Sequence, residues 1–383
     1  VLHRLDGIRI RYGPGIAWAV SDIVVLVLTR VAQLMDKKKP VFTCNETGGT
    51  NDNSSAFFPA LANSPGNEDL YARSLMMDGY CQQCHADVHE KWQYSAHRFS
   101  SFNNPAYRFS VMKTRDAGMA KDGNTHRSRF CAGCHDPVPL FSGAFDDPGF
   151  GDLDDPLASA GITCTSCHAI TSINSPRGNA DFTLVQPQHY PFTFSSNPFL
   201  QWLNQQLVKA KPAFHKKTFL KPLHGQPEFC GTCHKVHLPP ELNDYKWLRG
   251  QNHQDAYHLS GVSGHGASSF YYPPKARHNC AACHMPLQAS DDFGAAFFDN
   301  SGALKVHDHQ FAGANTARPY LMGAPAWVNE THRKFLEGAL RVDIFGLKTG
   351  GTINSPLIAP LRPHVPVLEP GENYLLETVV RTL

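Results

Sequence analysis

Ten of the eleven cysteines in this 383-residue chain fall into five units of one spacing. The units are Cys81-Gln82-Gln83-Cys84-His85, Cys131-Ala132-Gly133-Cys134-His135, Cys164-Thr165-Ser166-Cys167-His168, Cys230-Gly231-Thr232-Cys233-His234 and Cys280-Ala281-Ala282-Cys283-His284. Each reads Cys-x-x-Cys-His, the pattern of covalent haem attachment. Two thiols about one helical turn apart reach the two vinyl groups on one porphyrin edge and form thioethers. The residue that follows is then placed under the iron, where an imidazole nitrogen becomes the proximal ligand. Five c-type haems are therefore expected, with His85, His135, His168, His234 and His284 as proximal ligands.

Paired Cys-x-x-Cys units also build zinc ribbons and redox disulfides. Neither requires histidine directly after every second cysteine. With 21 histidines in 383 residues, chance would put one there about 5% of the time, and in all five units roughly once in two million.

A chain wrapped round five porphyrins needs little regular structure, because the cofactors supply apolar core. The composition agrees: 30 glycines and 28 prolines imply many turns, while 42% hydrophobic residues is ordinary for a globular protein. The expected fold is a multihaem cytochrome c, with short α-helices and long loops round five haems and a small C-terminal β region. The formal charge of +2 misleads once haem is counted. An oxidised bis-histidine haem adds roughly −1, taking the protein to about −3, and to about −8 when reduced. Nucleic acid is thereby excluded as a partner.

Three zones follow along the chain. Residues 1–70 hold an apolar run, Ile16 to Met35, and a Gly/Asn/Ser-rich linker. The run is broken by Asp22 and Arg30, so a buried or interfacial helix is favoured over a membrane-associated one. Cys44, the odd cysteine, is expected to be a buried, inert thiol. Residues 71–335 carry all five sites at uneven intervals, which excludes a strict repeat. Within them Ala86 to Phe99 and Phe199 to Lys211 read as helices, with Trp202 packed in the core. The loop bearing Asp146, Asp147, Asp152, Asp154 and Asp155 reads as solvated rather than calcium-binding. Residues 336–383 read as β-strands, Ala339 to Phe345 and Tyr374 to Val380. The last strand is expected to lack a partner within the chain, so that further sequence or a neighbouring subunit would complete the β region.

Sixteen histidines remain for the distal side of the irons. His89 and His278 lie too close to their own attachment sites to reach round a haem, and Met285 cannot easily reach the iron that His284 holds. The run Cys81 to Ser100 (CQQCHADVHEKWQYSAHRFS) resembles the superfamily of the four-haem cytochrome c of nitrifying bacteria and hydroxylamine oxidoreductase. In that superfamily a haem site is followed by a helix with Trp and a Ser-x-His whose imidazole ligates a different haem. The matching residues here are Trp92, Ser95 and His97. Carried over position by position, the resemblance implies His97, His126, His189, His253 and His265 as distal ligands, with His258, His224 and His309 in reserve.

Two functions then compete. Iron held by two histidines is six-coordinate in both redox states, which suits electron transfer. Catalysis on a small nitrogen or sulfur compound needs an open or labile axial position. The Lys that replaces the motif histidine at the catalytic haem of pentahaem nitrite reductases is absent here. Electron transfer is the expectation and multihaem oxidoreductase the alternative. The expected partners are redox proteins and other copies of the chain in a complex or filament, with membrane association as a further expectation. Because haem is attached outside the cytoplasm, an exported protein is implied, periplasmic or extracellular, although no signal peptide is visible at Val1.

Overall fold

The computed structural model describes residues 4–5, 8–9, 55–243, 246–270 and 276–382. The apolar run at 16–35 and Cys44 lie outside them. Among the described residues no helix is long and apolar enough to cross a membrane.

Helices are short and set by local signals. Those carrying or flanking the first two sites are α1 (Asp78–Gln82), α2 (Ala86–Trp92), α3 (Pro105–Asp122) and α4 (Arg129–His135). The longest, α3, starts where the Asn104 side-chain oxygen accepts the N–H groups of Ala106 and Tyr107 and Pro105 occupies the first turn. It stops at Gly123, whose left-handed φ of 72° lets its N–H reach Met119 O. The helix expected from Ala86 to Phe99 ends at Trp92. Trp92 donates Nε1–H to Ile162 O at 2.9 Å, and the buried Ser95 hydroxyl accepts the Arg98 N–H. Those bonds turn the chain out of the helix and bring His97 inward.

Downstream come α5 (Cys164–His168), α6 (Pro198–Ala210), α7 (Pro227–His234), α8 (Ala281–His284) and α9 (Ala326–Leu336). Three antiparallel hairpins punctuate them: β1 (Ile170–Ile173) with β2 (Phe182–Leu184), β3 (Lys235–Leu238) with β4 (Leu248–Asn252), and β5 (Leu287–Ala289) with β6 (Lys305–His307). Trp202 on α6 departs from expectation. It is 52% exposed and stacks on Phe199, which is also exposed, because α6 buries its Asn204–Leu207 side instead.

The C-terminal residues form a three-stranded antiparallel sheet of β7 (Leu340–Thr349), β8 (Leu357–Ile358) and β9 (Tyr374–Thr382), in the order β8-β7-β9. The final strand is thus paired along its length with β7, from Tyr374↔Thr349 to Thr382↔Leu340, contrary to the expectation of an unpartnered strand. A bulge at Phe345 accommodates the extra residue of β7.

The protein core is lopsided. Phe102, Phe141, Phe145 and Phe182, all fully buried, pack with Leu75, Val111, Val138, Leu140 and Leu184 around the second site. Each such phenylalanine contributes about 1.5–3 kcal/mol. Among the described residues between Val185 and Leu336 the buried apolar side chains are Tyr190, Leu207, Ala312 and Val328. That part of the chain turns few apolar side chains inward on each other, which leaves it short of a side-chain core.

Candidate haem-attachment sites

Four of the five attachment units lie on short helices ending at the motif histidine: α4, α5, α7 and α8. The first straddles the break between α1 and α2. A helical turn puts the two thiols of each unit on one face. All ten motif cysteines are free of disulfides. The residues between them matter because they pack. A Cβ on Gly133 would stand 2.7 Å from Ala180 Cβ and 2.9 Å from Ala60 Cβ, and one on Gly231 only 2.2 Å from Gln254 Oε1.

Ala180 also ties sites together. Its N–H donates to Thr232 O at 2.7 Å, and Asn179 donates to Lys235 O at 3.0 Å. Both residues hold positive φ, 62° and 56°, a conformation that costs an alanine roughly 1 kcal/mol. The loop is thereby wedged between the helices of the second and fourth sites. Their thiols follow: Cys134 and Cys233 are in direct interaction, which together with burial pushes Cys134 well up. Cys81 and Cys164 make the same contact between sites one and three, and Cys230 and Cys280 between sites four and five. These contacts join sites one and three in one group and sites two, four and five in another.

Four motif histidines have Nδ1 anchored. His135 donates to Ser100 O at 2.9 Å, His168 to Phe219 O at 2.7 Å and His284 to Ala312 O at 2.7 Å, while His85 meets Asp292 Oδ1 at 2.7 Å. Fixing the proton on Nδ1 leaves the Nε2 lone pair as the ligand atom. Burial holds the imidazoles neutral: it lowers His168 and His234 to about 4 and His135 by a smaller amount.

Three motif histidines face a second imidazole. Two rings bonded through Nε2 to opposite sides of one iron, at about 2 Å each, have centroids roughly 6 Å apart. His85 and His215 stand 6.1 Å apart, His234 and His97 6.1 Å, and His168 and His309 6.4 Å. His97 and His309 are held neutral chiefly by burial, at about 3 and about 4. His309 anchors its own Nδ1 on His307 O at 2.8 Å. The motif histidines of the other two sites lie against aromatic rings, His135 on Tyr107 at 4.3 Å and His284 on Phe335 at 5.0 Å.

The distal candidates from sequence are placed unevenly. His97 faces His234 as described. His253 is exposed, with its ring 5.7 Å from His234. His265 is exposed beside His258 and His278, its Nε2 3.4 Å from His278 O and so close to the fifth site. His189 packs against Phe194, and its Nε2 is buried without a partner, as an imidazole shaped to bind something would be. His126 is exposed in a 3-10 turn after Asn124, and its ring is brought to no motif histidine among the described residues. Sequence reasoning passed over His215 and held His309 only in reserve. The signal for His215 is its setting, PAFHKKTF, a short helix between the third and fourth sites with phenylalanines on either side. The acidic loop at 146–155 folds on itself, with Asp146 paired to Arg129 and Asp147, Asp152 and Asp155 accepting backbone N–H groups.

The orphaned Nε2 of His189, the facing imidazole pairs and an interior short of apolar side chains all fit c-type haem. Residues 80–169 match the family described as cytochrome c554 and c-prime, and that stretch holds the first three attachment units and the run Cys81 to Ser100. No curated protein matches the chain significantly. A penta-haem cytochrome c552 from Thermochromatium tepidum shares 15% identity and a TM-score of 0.41, over 81% of this chain and 87% of that one, a likeness too distant to bear on function. Over the stretch it covers, the family match is to multihaem c-type cytochromes, the class that the attachment units themselves describe.

Proposed function

We propose that the chain binds five c-type haems covalently and passes electrons among them, as an exported electron-transfer protein. The observation that carries this reading is the set of three facing imidazole pairs, His85/His215, His168/His309 and His234/His97, each at 6.1–6.4 Å. On this reading the first member of each pair is the proximal ligand and the second the distal one. At the fifth site His265 is the distal candidate nearest to hand.

Bound haem supplies the one-electron chemistry, and the chain's part is to hold each iron and keep sites adjacent. Rings fixed through Nδ1 and packed on both sides move little when charge changes. The thiol contacts from site one to three, two to four and four to five keep neighbouring cofactors at short range without a mobile carrier. Optical and paramagnetic resonance spectra of the purified protein test this directly. Five covalent haems with low-spin irons at the three paired sites are expected. Fewer than five haems, or high-spin iron throughout, overturns the reading.

A further inference from the structure

Three of the anchored motif histidines use a backbone carbonyl, and His85 alone uses a carboxylate. The 2.7 Å distance to Asp292 equals those at His168 and His284, so the difference is chemical. The Asp292 side chain is 1% exposed and its Oδ2 makes no hydrogen bond. Among the described residues neither lysine nor arginine pairs with it, so the His85 Nδ1–H is the side-chain donor that holds it. The turn is built to hold it there. Gly294 donates its N–H to Asp292 Oδ1 at 2.7 Å, and a Cβ on Gly294 would come within 3.3 Å of His85 Nδ1. Ser290 accepts the Asp292 N–H at 3.0 Å and donates its hydroxyl to Asp87, two residues beyond His85, at 2.6 Å.

Resting on the haem reading above, we propose that Asp292 is a positioning residue that lowers the reduction potential of the iron at the first site. A carboxylate pulls the Nδ1 proton toward itself and makes the imidazole a stronger donor to iron than a carbonyl does. Its buried charge acts in the same direction, since low dielectric strengthens the attraction to the more positive ferric centre. Reduction adds one electron to the iron, and the proton stays in the His85–Asp292 bond. A lower potential makes the first site the donor to any neighbouring iron of higher potential, and the Cys81–Cys164 contact sets the third site beside it.

Redox titration of the haem-loaded protein and its Asp292→Asn variant tests this. Asparagine keeps an acceptor for His85 and for Gly294 but removes the charge. One haem is expected to become easier to reduce, with its oxidised-to-reduced ratio at fixed potential changed at least tenfold, about 59 mV for one electron. Five low-spin haems with unchanged midpoints overturn the proposal. Fewer than five covalent haems in the unaltered protein overturn the haem reading instead. If the variant loses its first haem, oxidised-minus-reduced infrared spectra of the unaltered protein decide. A carboxylate band that shifts with the titration of one haem supports the role of Asp292, and the absence of any such band refutes it.

Discussion

The ring of His215 faces that of His85 with centroids 6.1 Å apart and planes within 13° of parallel. His85 sits at the break between α1 and α2 and His215 on the helix Pro212–Phe219, and on the proposed reading a haem stands between the rings. The pairing makes His215 a ligand to remove. His215→Ala is expected to convert one low-spin iron into a high-spin one that binds carbon monoxide, leaving the other irons as they were. His309→Ala should do the same independently, and the double variant should show two such irons. Carbon monoxide titration of the reduced proteins counts them.

At the fourth site two histidines compete for one position. His97 is half-buried and 6.1 Å from His234, whereas His253 is exposed and 5.7 Å away. Desolvation keeps His97 neutral and its lone pair available. His97→Ala is expected to yield one high-spin iron, and His253→Ala none, by paramagnetic resonance. The reverse result would exchange the two assignments.

Covalent attachment predicts a mass. Intact protein under denaturing conditions should carry five haems after acid-acetone extraction, and Cys131→Ala should carry four or fail to fold. The second site lies within the main aromatic core, so a lost cofactor there removes packing as well as chemistry.

Gly133 shows why one residue between motif cysteines is small. With Ala180 and Ala60 already under 3 Å from where its Cβ would sit, Gly133→Ala is expected to destabilise the protein by about 1–3 kcal/mol through overpacking. Denaturant unfolding of the haem-loaded protein measures it. By contrast, Gly225→Ala, where nothing lies within 4 Å of the added carbon, should be close to neutral.

The attachment pattern is carried by the residues alone, because thioether formation and proximal ligation would depend on five consecutive positions and little else. Local rules also anticipated the capped helix at Pro198–Ala210 and the two long C-terminal strands. They failed where a distant contact outweighed propensity. Trp92 and Ser95 end a helix early through bonds that propensity does not see, and the last strand found its partner in β7. Which imidazoles come to face one another was beyond sequence for the same reason. His85 and His215, His97 and His234, and His168 and His309 lie more than a hundred residues apart in the chain. Many histidines offered equivalent chemistry, and only the folding of the intervening segments chose among them. Asp292 illustrates the point most simply. An aspartate among several in a polar loop became a buried anchor for His85 because Gly294 and Ser290 turned that loop onto the imidazole ring.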